Sequence, residues 1–385
     1  MFQYILLAVI TIGTLFYIVR FGRKKQTVST SQVKRPFGKW TPVDFKAPSP
    51  PPYPNWSIET TKPRPYRPFR YGPDYFVTMG IGRLHWDDWI ELDNQWTHFH
   101  KVRMARLTGE RASRLYKMAP EAYDAALETM ELISEYIVCR YPSLFEFESS
   151  SAQKQIRNKT TGEIYPIHST DPLKYAAFLI QDDLALMIEG EDGQYYLKAG
   201  VIPLPGFWRL EDKFNMSLSE IHTSGNVPQF REKLQQGMER YFQKMTPEQP
   251  VVRYNYSIQL DDELAWSSSV GSEDTFGTSR RKDARPNPTL ENLHFRSERQ
   301  VLRRLPRSGA ILFTIRTYFH PIIEIAEEPG VPGRLASALR SWPDEIVRHK
   351  GRKIYDDILL KYLDEKHAKQ CANGLTSTNL NSYPF

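Results

Sequence analysis

The stretch VVRYNYSIQL at residues 251–260 decides the fold class, because its side chains alternate strictly in polarity. An alternation with a period of two is typical of a β-strand that buries one face and leaves the other polar. The apolar set is Val252, Tyr254, Tyr256, Ile258 and Leu260, and the polar set is Arg253, Asn255, Ser257 and Gln259. This pattern predicts a strand with one buried face.

Similar patterns on both sides of this strand extend the prediction. Residues 184–189 and 195–202 flank Gly190-Glu191-Asp192-Gly193 and predict a hairpin, and residues 309–319 predict a further strand that ends before Pro321. Apolar residues at helical spacing predict helices over 120–140, after Pro228, over 334–341 and over 354–367. Strands joined by short turns, with helices towards both ends of the chain, favour an antiparallel α+β fold.

The N-terminus carries an uncharged apolar run from Phe2 to Val19, followed by Arg20, Arg23, Lys24 and Lys25. A helix needs about 20 apolar residues to cross a bilayer, and positive charge stays on the cytosolic side. The sequence therefore predicts a single-pass anchor at residues 1–20 in the endoplasmic reticulum membrane, with the rest of the chain in the cytosol. Membrane lipid is accordingly a predicted partner.

A proline-rich segment follows this run. Residues 36–73 hold 11 of the 28 prolines, and proline fixes the backbone and removes a hydrogen-bond donor. We predict a basic and then proline-rich stalk at 21–73, a globular body at 74–369 with a surface loop at 267–289, and a flexible tail at 370–385. The aromatic residues of the stalk leave two alternatives open, a plain spacer or a segment that lies against the body.

The charge distribution argues against a nucleic-acid partner. The whole chain has a formal net charge of +6, but residues 1–43 carry seven Lys or Arg and no Asp or Glu. The remaining residues therefore hold 44 basic and 45 acidic side chains, a net charge of −1. A nucleic-acid-binding domain would carry its excess of positive charge on the folded body.

Two groups of residues are candidates for a functional site. His222 lies in the segment LSEIHTSGNVP (218–228), which predicts a loop before a helix, and the aromatic segment 203–208 could line a flat cofactor beside it. The alternative is a histidine that only satisfies loop backbone groups. The arginine-rich segment 295–306 could bind carboxylates, and the alternative is a solvated strand face with Glu298 as a partner.

The chain resembles the fungal branch of the DUF3445 family, which is related to the haem-binding α subunit of haem-dependent oxidative N-demethylase. Six blocks carry the resemblance: MGIGRLHWDDWIELD (79–93), YLKAGVIPLPGFW (196–208), DKFNMSLSEIHTSGNVP (212–228), VVRYNYSIQLDDELAW (251–266), FRSERQVLRRLPRSGAILFTIRTY (295–318) and PGRLASALRSW (332–342).

The resemblance implies a PAS-like α+β domain that binds haem b, with His222 as the axial iron ligand. It also implies oxidation of a small molecule with O2, of the N-demethylation kind or related to it. Electrons would come from a separate NADPH-dependent reductase, because the chain shows no signature for flavin, iron–sulfur or NADPH binding. The membrane anchor indicates a lipophilic substrate or a membrane-bound reductase.

The candidate contacts to the haem propionates are Arg303, Arg304 and Arg316. Side chains alternate between the two faces of a strand, so the even-numbered Arg304 and Arg316 are predicted to share one face of the sheet and Arg303 to lie on the other. A non-catalytic haem sensor or docking module tethered to the membrane would have the same fold and stays the alternative.

Overall fold

The computed structural model describes residues 35–148, 153–274 and 287–375. The chain divides into two units, Met1–Pro36 and Phe37–Phe385. All the helices and strands of the described residues lie in the second unit. The predicted anchor at residues 1–20 lies outside the described residues. Within the described ranges, no helix is long and apolar enough to cross a membrane.

The described residues form ten strands, numbered in chain order: β1 (Gly82–Arg83), β2 (Tyr116–Met118), β3 (Phe145–Glu148), β4 (Gln155–Asn158), β5 (Ile164–Pro166), β6 (Asp182–Glu189), β7 (Tyr195–Val201), β8 (Val251–Gln259), β9 (His294–Arg304) and β10 (Ile311–Pro321). The α-helices are α1 (Trp96–Thr108), α2 (Ala112–Leu115), α3 (Tyr123–Arg140), α4 (Pro172–Leu179), α5 (Leu218–Ser224), α6 (Gln235–Lys244), α7 (Ile322–Ile325), α8 (Val331–Arg340), α9 (Asp344–His349) and α10 (Asp356–Ala372). A π-helical turn, Phe230–Leu234, precedes α6.

One large antiparallel sheet organises the molecule. Its seven strands lie in the order β1-β8-β9-β10-β6-β7-β2, and β3, β4 and β5 form a separate small sheet. The hairpin β6–β7 forms across the predicted turn, where Gly193 has φ +80°, a conformation that favours glycine. The mixed α+β architecture predicted from the sequence is therefore confirmed.

Helices cover both faces of the large sheet. On one face α3 buries Ala126, Met130, Ile133 and Ile137, the residues whose spacing predicts this helix, in a core shared with α4, β6 and β10. On the other face α5, the π-helical turn and α6 pack through Leu218, Phe230, Met238 and Phe242. A third apolar core joins α8, α9 and α10 beside the ends of β8 and β9. Helix α10 continues to Ala372, beyond residue 370, where the sequence predicts the tail.

Residues 37–73, which we call the strap, lie along the body. The indole of Trp40 donates to the Pro306 carbonyl at 2.9 Å, and that of Trp56 donates to the Leu92 carbonyl at 2.8 Å. Tyr66 and Phe69 are 2% exposed, so they belong to the core. Gly309 is essential to this packing, because a Cβ atom there would lie 2.2 Å from the Trp40 ring. Of the two alternatives for this segment, the structure shows the one that lies against the body.

Candidate functional site: a large cavity on one face of the sheet

A cavity of about 1220 Å³ lies between one face of the large sheet and the elements that cover it. Strands β6, β8, β9 and β10 form its floor, and α5, the π-helical turn and α6 form one wall. Met79 and Ile81, which follow the strap, and residues 348–355 complete the rim. Ligand sites in proteins usually measure roughly 300–1000 Å³. This cavity is therefore large enough for a cofactor together with a small substrate.

Much of the lining is apolar and comes from the sheet floor and the helical wall. Strands β6, β7 and β10 contribute aliphatic and aromatic side chains, and α6 adds Met238, Tyr241 and Phe242. The predicted aromatic segment contributes Phe207 and Trp208. Lining of this kind excludes water and suits a flat hydrophobic ligand.

His222 lies in this cavity on helix α5. The sequence prediction of a loop is wrong here, because Ser217 and Glu220 form a capping box that begins a helix directly before the histidine. The Ser217 backbone N–H donates to the Glu220 carboxylate at 2.7 Å, and the Glu220 N–H donates to the Ser217 hydroxyl at 3.3 Å. The capping box therefore fixes the helical turn that carries His222.

The His222 ring is held in one orientation and one tautomer. Its Nδ1 lies 2.7 Å from the Leu218 carbonyl oxygen, and the ring stacks on Phe230 with centroids 4.7 Å apart. Since a carbonyl only accepts, Nδ1 carries the proton and Nε2 carries the lone pair. Among the described residues, Nε2 has no hydrogen-bond partner. A histidine that binds a metal usually donates its other ring N–H to a carbonyl or carboxylate in this way.

The surroundings of His222 also keep its ring neutral. Burial lowers the pKa of His222, and the positive charges of Arg253 and Lys213 lower it further, against the opposing effect of the Leu218 carbonyl. A protonated imidazole has no lone pair to give to a metal. The cavity therefore favours the neutral form of His222, which is the form in which a histidine can bind a metal.

A polar stripe crosses the floor of the cavity on β8 and β9. Arg253 lies opposite Gln300, and Asn255 lies opposite Glu298, so these four side chains share the cavity face of the sheet. Lys350, after α9, lies at the same end of the cavity. Arg253 also acts electrostatically on His222, so the stripe and the imidazole face the same space.

The three arginines predicted to contact propionates do not line this cavity. Arg303 is buried on the opposite face of the sheet, with its guanidinium 4.2 Å from the Trp89 ring centroid. Arg304 donates to the carbonyls of Met245 and Gly309 at 2.8 and 2.7 Å. Arg316 forms an ion pair with Asp93 at 2.6 Å. The structure therefore does not bring these arginines together with His222, and their contact with a propionate stays a prediction.

The expected sharing of faces is wrong. Arg304 pairs with Ile311 across the hairpin, whereas Arg316 pairs with Arg299. Because directly paired residues share a face, Arg316 lies on the face of Arg299 and Arg303, and Arg304 lies on the other. An even or odd residue number predicts a shared face only within one strand. Between two strands the length of the connecting loop sets the register, and the register decides which residues share a face.

Several polar residues that line the cavity were not among the predicted site residues. Arg253, Asn255 and Ser257 form the polar half of the alternation in β8, and Lys350 and His349 lie in the segment after Trp342. For the β8 residues, the alternation in the sequence could have indicated that they share one face of the strand. It separates two faces of a strand, but it does not say whether the polar face meets solvent or a cavity.

The arrangement defines a class of protein, an α+β domain with a large internal cavity that could hold a cofactor. The residues fit haem, because a neutral imidazole with an unbonded Nε2 faces a large, mostly apolar space. The family described as "Haem-dependent oxidative N-demethylase, alpha subunit-like" matches residues 80–360, which is more than half of the chain. The chain belongs to this family.

Proposed function

We propose that this protein binds haem b in the cavity through His222 and oxidises a small molecule there, by N-demethylation or a related reaction. The observation that carries the proposal is the geometry of His222, whose Nδ1 proton is held by the Leu218 carbonyl while Nε2 has no partner. Family membership supports the same cofactor, because the family is that of a haem-dependent oxidative enzyme.

Each surrounding residue has a physical role in this proposal. When bound, haem supplies the iron chemistry that uses O2. His222 would hold the iron from one side, and the hydrogen bond to Leu218 would raise the electron-donating power of its ring. Phe230 keeps the ring from rotating, and the apolar residues of β6, β10 and α6 exclude water. The remaining volume of the cavity would hold the substrate.

We also propose the finer features that the sequence suggests. The domain would be PAS-like, since the hairpin β6–β7 lies beside the last strand, β10, and helices cross one face of the sheet between β7 and β8. A separate NADPH-dependent reductase would supply the electrons. The apolar run Phe2–Val19 would anchor the chain in the endoplasmic reticulum membrane, which favours a lipophilic substrate. Digestion of the body by protease added to intact microsomes would support this topology, and full protection would contradict it.

The decisive experiment is the absorption spectrum of the full chain produced with a haem precursor. We expect the wild-type protein to show a Soret band, and His222→Ala to lose haem or to shift that band while remaining folded. A purely structural role for His222 predicts an unchanged band and a stability loss of about 1 kcal/mol.

Other histidines serve as controls. His349 also lines the cavity, at its rim, whereas His168, His294 and His320 do not. Each changed singly to Ala should leave the Soret band in place. If one of them abolishes the band and His222→Ala does not, the iron ligand is another residue. If the wild-type chain never binds haem, the oxidative function fails and a docking module without haem becomes the better interpretation.

A further inference from the structure

Arg253 carries a positive charge on the cavity floor without a matching partner. It makes no ion pair within 4.0 Å and no hydrogen bond to the residues that the structure describes, and its Nε atom is fully buried. Burial lowers the pKa of Arg253, while Glu298 and Tyr75 raise it. The residue as a whole is half-buried. A guanidinium that is withdrawn from water is stable when acceptor atoms surround it, so this one lacks acceptors that a ligand could supply.

Lys350 adds a second cation at the same end of the cavity. Its ammonium donates to the Tyr256 carbonyl and lies 3.4 Å from the Asn255 side-chain oxygen. It also faces the rings of Tyr256 and Trp342 at 4.9 and 5.2 Å. Burial lowers the pKa of Lys350 to about 8, and Arg253 lowers it as well, against the opposing effect of Glu298. The effect of Arg253 on Lys350 shows that the two cations lie close enough for their charges to repel.

The acids nearby do not balance these charges. Glu298 accepts a hydrogen bond from the Gln300 amide at 2.8 Å, and its other oxygen lies 4.0 Å from Arg296 Nε. Glu345, at the rim, accepts from the Gln229 amide instead. Among the described residues of this end of the cavity, one carboxylate therefore faces Arg253 and Lys350, and it is shared with Arg296.

We infer that Arg253 and Lys350 form a subsite for a carboxylate in this cavity. A guanidinium binds a carboxylate through two parallel hydrogen bonds, and the ammonium of Lys350 adds a point charge. The inference rests on the proposed function only in placing a ligand in this cavity. The carboxylate could belong to the bound porphyrin or to the substrate, and both sources present the same chemistry to Arg253.

The first experiment tests the porphyrin as the source without using iron. The full chain is titrated with metal-free protoporphyrin IX and with its dimethyl ester, and binding is followed by quenching of tryptophan fluorescence. If the porphyrin supplies the carboxylate, the wild-type protein should bind the free acid at least about 10-fold more tightly than the ester. Arg253→Met should abolish that preference and Arg253→Lys should keep part of it.

The second experiment tests the substrate as the source. The protein as purified, with whatever cofactor it carries, is titrated with octanoate and with 1-octanol in a calorimeter. If the substrate supplies the carboxylate, octanoate should bind at least about 10-fold more weakly to Arg253→Met than to wild type, and octanol should bind both equally. The binding of the acid should weaken above pH 8 in wild type, and Lys350→Met should lose this pH dependence.

Arg231→Met is the matched control, because Arg231 is an exposed arginine outside the cavity lining. It should behave as wild type in both titrations. The inference is overturned if neither acid distinguishes Arg253→Met from Arg231→Met. Failure of His222 as the iron ligand would leave these results unchanged, because neither titration depends on iron.

Discussion

Arg299 and Arg316 on one face of the large sheet differ from Arg253 on the other in whether protein groups bind their guanidinium groups. On the face that packs against α3 and α4, Arg299 donates to the Trp89 carbonyl at 3.2 Å and lies 3.5 Å from Glu91, and Arg316 pairs with Asp93. On the cavity face, Arg253 has neither an ion pair nor a hydrogen bond to any described residue. The guanidinium groups of Arg299 and Arg316 maintain the fold, whereas that of Arg253 faces a cavity and is the one that we infer binds a ligand.

Glu91 and Asp93, which pair with Arg299 and Arg316, come from the segment WDDWIELD at residues 86–93. This segment ends one of the blocks that carry the family resemblance. Glu91 accepts hydrogen bonds from Tyr66 at 2.5 Å and from Tyr318. Asp93 accepts from the Gln181 amide at 3.1 Å in addition to its pair with Arg316. A conspicuous motif can therefore belong to a buried structural network rather than to the active site.

Removing the buried ion pair between Arg316 and Asp93 should have the largest effect on stability. Arg316→Met removes a fully buried charge and leaves the Asp93 carboxylate, 3% exposed, without its ion pair. We expect the free energy of unfolding to fall by about 3–5 kcal/mol, measured by urea denaturation. Arg340→Met is the control, because Arg340 pairs with Asp364 at the surface and its loss should cost less than about 1 kcal/mol. Equal losses for the two variants would contradict this interpretation.

Asp182 allows the same network to be tested by pH. Arg103, Arg299 and Arg316 surround it, yet each already has another acid, namely Asp183, Glu91 and Asp93. Asp182 is therefore one carboxyl group more than the three arginines can neutralise. Burial raises its pKa to about 7. In the unfolded chain its pKa is near 3.8, so the folded protein holds the extra proton between pH 4 and 7. The stability that this group contributes is therefore lost as pH rises through 7.

Asp182→Asn keeps the shape of the side chain and removes its titration. We expect wild type to lose roughly 2–3 kcal/mol of stability relative to this variant between pH 5 and 8, with most of the loss below pH 7. Urea denaturation at pH 5, 6, 7 and 8 measures the difference, and the exposed Asp262→Asn provides the control. Parallel profiles for wild type and Asp182→Asn would show that Asp182 is ionised in the folded protein.

The smallest effect should come from the cavity face. Without added ligand, Arg253→Met removes a half-buried charge that has no ion pair or hydrogen bond to the described residues, so the free energy of unfolding should stay unchanged or rise by up to about 1 kcal/mol. The measurement is the urea midpoint of the variant beside that of wild type. A loss comparable to that of Arg316→Met would mean that Arg253 is structural. The contrast between Arg253 and Arg316 would then disappear.

Local patterns in the sequence predict most of the secondary structure. The alternation at 251–260, the hairpin around Gly193 and the helices over 120–140 and 354–367 depend on neighbouring residues, and the structure confirms them. The pairing between strands is different. Whether Arg304 and Arg316 share a face depends on the register that the loop at residues 305–310 sets, and no pattern within either strand contains it.

The candidate site was predictable in part for the same reason. The family resemblance pointed to His222, which lies in the cavity, but the cluster of arginines at 296–304 drew attention to side chains that bind protein atoms. Arg253 is a single arginine in an ordinary alternating strand. Its significance appears only when β9 and Lys350 are placed around it in three dimensions.

The strap also has a consequence for the order of events during synthesis. The indole of Trp40 bonds to a residue 266 positions later, and Arg67 pairs with Glu328, 261 positions later. At 5–20 residues per second, a ribosome needs roughly 13–50 s to make the 266 residues that separate Trp40 from its partner. During that time Trp40 has no native surface to pack against, so this part of the strap completes its folding late. Nascent chains of this protein therefore expose hydrophobic surface to chaperones until β10 and α7 have left the ribosome.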